Sequence, residues 1–154
     1  EILIGLVGSE MCIRDRLVTA CGGVLRYVLQ YSGLGDLIGN AVASANLPIV
    51  LVAFIVAALV RICVGSATVA MTMAAGIIAA MPGISELPPL YLACVVAAVA
   101  GGSTVCSHFN DSGFWLVRSL VGVDEKTNLK TWTIMETLVG FSGFVVAFII
   151  SLFV

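Results

Sequence analysis

The chain's only histidine sits three residues before an aspartate in the stretch Ser107-His108-Phe109-Asn110-Asp111-Ser112-Gly113, with apolar sequence on both sides. Histidine titrates near neutral pH, and a carboxylate taken out of water can be raised toward the same range. His108 and Asp111 are therefore candidates for carrying a proton. If the segment were helical, their spacing would put both on one face. The plainer readings are a structural histidine with a satisfied ring, and an aspartate that caps the next helix. Ser107, Asn110, Ser112 and Gly113 add hydroxyls, an amide and backbone N–H groups. A broken helix exposes its N–H groups at a partly positive end, which suits a carboxylate. The alternative for the whole segment is a surface loop at a membrane boundary.

Three further features have chemical content. Arg61 lies between two apolar runs, beside Gly65-Ser66-Ala67-Thr68. A guanidinium can clamp a carboxylate through two donors; it can equally sit at an interface and reach out to water. Gly65, Thr68, Thr72 and Gly76 follow helical spacing. Such a stripe allows close helix approach or lines a polar path, and Gly65, Ser66 and Thr68 join the candidate ligands. Glu136 is one turn from Trp132 and shares a face with Gly140. Pointed into a bundle, it serves as a proton relay or as a hydrogen-bond partner between helices.

The elements that must position these groups are apolar helices. The 154 residues are 60% hydrophobic and 10% charged, with a mean hydropathy of +1.16. So little charge cannot cover a soluble domain of this size, and part of the solvent must be lipid. A crossing helix needs about 20 apolar residues. Leu37–Val60, Ile62–Ser85, Leu87–Ser107 and Thr137–Val154 are charge-free runs of about that length. Leu17–Tyr31, with Gly22-Gly23, reads as a broken or re-entrant helix. Ser32-Gly33-Leu34-Gly35 is a turn signal, Asp36 leads a helix over Leu37–Ser44, and Pro48 opens a span over Ile49–Val60. Pro82-Gly83 ends the Ile62–Ser85 run. Pro88-Pro89 starts Leu90–Ala100, which Gly101-Gly102-Ser103 should break. Phe114–Val121 is a second helical piece, and Thr133–Val154 is the last span, with Trp132 at an interface. Asp124–Lys130 is the one hydrophilic stretch, expected as an aqueous loop. Arg118, Lys126 and Lys130 around it place that loop in the cytoplasm and Val154 outside.

Several classes are disfavoured. A net charge of −2 without a basic stripe argues against nucleic acid. No phosphate loop, dinucleotide fingerprint, nucleophile elbow or zinc-protease motif occurs, and no nucleophile–base or metal set. An enzyme is not expected, nor a cofactor or a metal. Cys12, Cys21, Cys63, Cys94 and Cys106 form no CxxC pair and read as buried free thiols in apolar helices.

Glu1–Arg16 (EILIGLVGSEMCIRDR) stands apart. Its Leu6–Asp15 portion resembles one reading frame of a common transposon sequencing adapter. Residues 1–16 are expected to be translated adapter, which makes Leu17 a broken end; the coding DNA checks this.

The remaining residues resemble a known family. Arg61–Gly76 (RICVGSATVAMTMAAG) looks like the RxxxGSATVA…AAG motif of the gluconate permease family. Ser107–Trp115 (SHFNDSGFW) looks like its SHxNDSGFW motif, Leu129–Gly140 (LKTWTIMETLVG) resembles its ending, and Tyr31–Leu37 (YSGLGDL) resembles its SGIGD element. The matches run in family order over nearly all of Leu17–Val154; Cys21 and Cys106 replace small residues. The resemblance implies an all-α, multi-pass carrier in a bacterial inner membrane, moving gluconate or a related sugar acid with protons. It also implies an inverted-repeat architecture with re-entrant hairpins. Residues 17–154 would be the C-terminal repeat, lacking the N-terminal half of the same protein, and homo-oligomers are compatible with it. Gly65–Thr68 and His108–Ser112 would meet near the membrane midplane. Two other readings stand: a carrier of another small organic anion or amino acid, with sodium in place of protons, and a non-transporting membrane assembly subunit. The broken polar segment argues against the last.

Overall fold

The computed structural model describes residues 47–154 together with Ala20, Val24, Val28 and Tyr31–Gly33. Ala20, Val24, Val28 and Tyr31 are helical. The turn expected at Ser32 is present, with its N–H donating to Val28 O at 2.9 Å and Gly33 at φ 73°. The adapter-like stretch, the break at Gly22-Gly23, Asp36 and the Leu37–Ser44 helix lie outside the described residues.

Five α-helices follow. Helix α1 (Ile49–Val64) begins after Pro48 and ends where Gly65 turns left-handed at φ 79°. It runs four residues past the expected span and carries Arg61 inside it. Helix α2 (Ala67–Ala79) is capped by Ser66, whose hydroxyl accepts from Val69 N at 3.5 Å. Gly65 therefore leaves the expected stripe: its left-handed backbone separates α1 from α2, and an uninterrupted helix from Ile62 does not form. Thr72 spends its hydroxyl on Thr68 O and Val69 O of its own helix, both at 3.0 Å. Pro82-Gly83 ends this region as expected, followed by a 3-10 turn, Ile84–Glu86.

Helix α3 (Pro89–Thr104) starts at Pro89, whose missing N–H costs nothing in a first turn. It does not break at Gly101-Gly102-Ser103. These glycines are crossing points. A Cβ on Gly102 would overlap Phe54 O and sit 2.8 Å from Ala57 Cβ; a Cβ on Gly101 would lie 2.6 Å from Gly140 O. The break falls later, over Val105–Asn110, where Cys106 takes φ 58°. Helix α4 (Ser112–Val121) then runs to a left-handed Gly122.

Helix α5 (Glu125–Ser151) is a single 27-residue rod starting at Asp124. The expected aqueous loop thus shrinks to Gly122–Asp124. Glu125 favours the positive end of the new helix, and the polar residues after it are competent helix formers. Among the described residues α5 is the one helix long and apolar enough to cross a membrane.

Helix α3 is central, packed between α1 and α5, with α2 against α1 and α3 and α4 against α5. The core is made of small and β-branched residues: Val50, Ala53 and Ala57 of α1, Ala74 and Ile78 of α2, Val95, Ala98 and Val99 of α3, Ala147 of α5. Phe144 adds a large ring, stacked on Phe54 at 4.2 Å between centroids. In lipid, apolar burial cannot drive helices together, so backbone proximity through small residues must. Outward apolar residues such as Ile134, Leu138, Phe141 and Val146 are exposed, as fits a lipid-facing surface. Of the thiols, Cys94 is buried, Cys63 is exposed and Cys106 is half-buried in the break, so the expectation of uniformly buried thiols holds only for Cys94 among those described.

Gly140 tests this packing. A Cβ there would overlap Gly101 O and Thr104 Oγ1, whereas one on Gly143 meets nothing within 4 Å. Gly140→Ala is expected to cost about 1–3 kcal/mol by overpacking, and Gly143→Ala to be neutral or slightly stabilising. Thermal unfolding of the two purified variants compares them; equal melting temperatures would refute the close crossing.

Candidate functional site

The two helix interruptions meet. Gly65 lies so close to Asn110 that a Cβ on it would overlap the Asn110 carbonyl oxygen. Helix α2 begins two residues after Gly65, and α4 two residues after Asn110. Two helix N-termini therefore start beside one backbone contact.

Hydrogen bonds from Asn110 and Arg61 satisfy stranded groups at the end of α1 and join the two breaks. Carbonyls in the last turn of a helix lack intrahelical partners, and inside a membrane they cannot turn to water. Asn110 Nδ2 donates to Cys63 O at 3.1 Å. Arg61 donates from one guanidinium nitrogen to Gly65 O, and from the other to Asp111 Oδ2 at 2.6 Å. Arg61 is 2% exposed and Asp111 9%. Arg61 thus does not reach out to water: it clamps a carboxylate, and that carboxylate belongs to this chain.

Asp111 gathers three donors. Oδ2 accepts from Arg61 and from the Ser107 hydroxyl, and Oδ1 accepts from Gly113 N at 3.0 Å. The capping role is present, and the same carboxylate carries the ion pair. One expectation is corrected here: the Gly113 amide, a candidate for holding a ligand carboxylate, is already occupied by Asp111.

His108 does not share a helical face with Asp111, because the segment is a turn: Asp111 N donates to His108 O at 2.8 Å. The His108 ring is half-buried, with Nδ1 2.9 Å from Cys106 O. That contact requires a proton on Nδ1. Its side chain and that of Asp111 thus face different partners. Ser66 is half-buried, and Thr68, Asn110 and Ser112 are exposed around the two helix starts, a polar rim above the ion pair. Glu136 is half-buried. It lies within electrostatic reach of both Arg61 and Asp111, and no hydrogen bond of its side chain is seen among the described residues.

Helix α5 supplies three residues the sequence reading missed. Trp132 Nε1 donates to Ser107 Oγ at 3.0 Å, so its indole braces the break from within and is not only an interface anchor. The Thr133 hydroxyl donates to Ser107 O, and the Thr137 hydroxyl accepts from Cys106 N at 3.1 Å. The available signal was a polar stripe, Trp132, Thr133, Glu136 and Thr137, in an otherwise apolar helix. Near the start of α5, Asn128 Nδ2 donates to Phe114 O at 2.8 Å and ties the first turn of α4 to α5.

Interrupted apolar helices thus cross at a buried ion pair under a polar rim. Comparison with known proteins identifies the family: residues 12–153 match the one described as GntP family permease, and the chain belongs to it. The match begins inside the stretch read as adapter-like. The chain is 45% identical over 135 residues to the low-affinity gluconate transporter of Escherichia coli (strain K12), covering 86% of this chain and 30% of that protein. It is 39% identical over 136 residues to a gluconate permease of Pseudomonas aeruginosa, covering 88% and 30%. It is 37% identical over 145 residues to the Gnt-II system L-idonate transporter of Escherichia coli (strain K12), covering 93% and 32%. The chain therefore spans about 30% of the length of these relatives. No solved structure matches it. The family is one of permeases.

Proposed function

We propose that this chain is the C-terminal part of a multi-pass carrier that moves gluconate or a related sugar acid, together with protons, across a bacterial inner membrane. The observation that carries the reading is the likeness, over most of the chain, to proteins named for gluconate and L-idonate. Both are polyhydroxy monocarboxylates, and the site offers matching chemistry. Arg61 provides the cation, and Ser66, Thr68, Asn110 and Ser112 provide hydroxyl and amide partners for a polyol. Gly65 keeps the rim shallow, since a side chain there would collide with Asn110. Ser107 and Gly113 act beneath it, by holding Asp111. One of His108, Asp111 and Glu136 carries the coupling proton.

In this reading residues 17–154 form one repeat, and the other half of the substrate cavity comes from the N-terminal half of the same protein. Arg118, Lys126 and Lys130 put the α4–α5 turn in the cytoplasm. The chain alone is expected not to transport.

Labelled gluconate uptake by membrane vesicles carrying the full-length protein tests the function. Uptake is expected to collapse with a protonophore and to survive replacement of sodium. Uptake that needs sodium would replace the coupling ion. No gluconate uptake by an inserted protein would move the substrate to another organic acid.

A further inference from the structure

The carboxylate that Arg61 holds is internal. Among the described residues it is also one of three ionisable side chains that face this point from the packed elements: α1 brings Arg61, the break brings Asp111, and α5 brings Glu136. The His108 ring is turned to Cys106 O. Helices α2 and α3 contain no charged residue. Arg118 is engaged at a distance, with Glu125 at 3.3 Å and the Trp115 ring.

We propose that Asp111 is a place-holder for the substrate carboxylate on Arg61, and that transport couples to protons by exchanging one for the other. This rests on the reading of the protein as a carrier of carboxylates. In the exchange, the substrate carboxylate takes the guanidinium and Asp111 accepts one proton from water to become a neutral carboxylic acid. No other bond is made or broken, and the charge of the site is the same before and after.

The coupling follows from burial. Protonating Asp111 alone would leave Arg61 buried without a counter-ion, which is strongly unfavourable. Bringing a second carboxylate to Arg61 while Asp111 stays ionised would place two like charges on one cation. Only the two events together avoid both costs, so proton and anion bind with positive linkage. The segment that must release Asp111, Val105–Asn110, is not helical. Its side-chain ties to neighbouring helices are single hydrogen bonds from Asn110, Trp115, Trp132 and Thr133 and one to Thr137. The exchange also sets the proton count: one per carboxylate.

Calorimetric titration of gluconate into the purified full-length protein, in buffers of differing ionisation enthalpy, counts the protons taken up. Wild type is expected to take up about one proton per gluconate, with affinity falling about tenfold per pH unit where Asp111 is ionised in the free protein. Asp111→Asn is expected to take up none and to bind with little pH dependence, and Glu136→Gln to keep the proton. Wild type that takes up no proton overturns the exchange without any variant. So does a proton that persists in Asp111→Asn or disappears in Glu136→Gln. If wild type binds another monocarboxylate but not gluconate, the sugar-acid reading falls, and the proton count with that acid decides the exchange. If it binds no carboxylate, both fall.

Discussion

Arg61→Gln is expected to destabilise the folded protein by about 3–5 kcal/mol, the cost of leaving one member of a buried ion pair without its partner. The loss has two parts. The Asp111 carboxylate, 9% exposed, would keep the Ser107 hydroxyl and the Gly113 amide but lose its only cation. The Gly65 carbonyl would lose its donor at the end of α1. Asp111→Asn in the same chain should recover much of the loss, because a neutral Gln–Asn pair strands no charge. The double-mutant cycle by thermal or denaturant unfolding isolates the pair. A coupling near zero would mean that the ion pair does not hold the two breaks together. Arg61→Lys is not a conservative control: one guanidinium reaches both Gly65 O and Asp111 Oδ2, and a single ammonium does not reproduce that fork.

Gly65→Ala is the second large effect. Left-handed backbone costs a residue with a Cβ about 1–2 kcal/mol. Here the Cβ would also overlap Asn110 O and lie 2.6 Å from its carbonyl carbon, adding an overpacking cost of about 1–3 kcal/mol. Gly83 and Gly122 have the same sign of φ, at 79° and 72°, with nothing within 4 Å of a built Cβ. Gly83→Ala and Gly122→Ala should therefore show the backbone cost alone. If Gly65→Ala is no worse than those two by thermal unfolding, the close contact between the breaks is not part of the native fold. If it is much worse and uptake is lost, the contact positions the two helix starts as well as stabilising them.

The glycines show where sequence reading works and where it fails. Pro48, Pro82-Gly83 and Pro88-Pro89 were legible as boundaries, because proline lacks an N–H and fixes φ whatever surrounds it. Gly101-Gly102 was misread as a break. Isolated from its neighbours a glycine pair weakens a helix; against Phe54 O and Gly140 O it lets two crossings form that no larger residue permits. Gly65 was misread in the opposite direction, as one member of a helical stripe, when it ends α1. Spacing cannot tell these uses apart, since both depend on what approaches from another helix.

The sequence alone determined which groups had to be gathered. A chain this apolar cannot leave Arg61, Ser107, Asp111 and Glu136 scattered in lipid, because each unmatched polar group there is costly. It also determined the class, through the ordered motifs at Arg61–Gly76 and Ser107–Trp115. Only the tertiary structure decided who pairs with whom. Arg61 and Asp111 are 50 residues apart, and helical periodicity relates a residue only to neighbours three or four positions away. So the sequence offered a clamp and a proton carrier as separate readings, while the crossing of two broken helices joined them in one ion pair. The same crossing turned Trp132, Thr133 and Thr137 from features of an apolar helix into the braces of the site, because α5 lies where the break in α3–α4 needs hydrogen-bond partners.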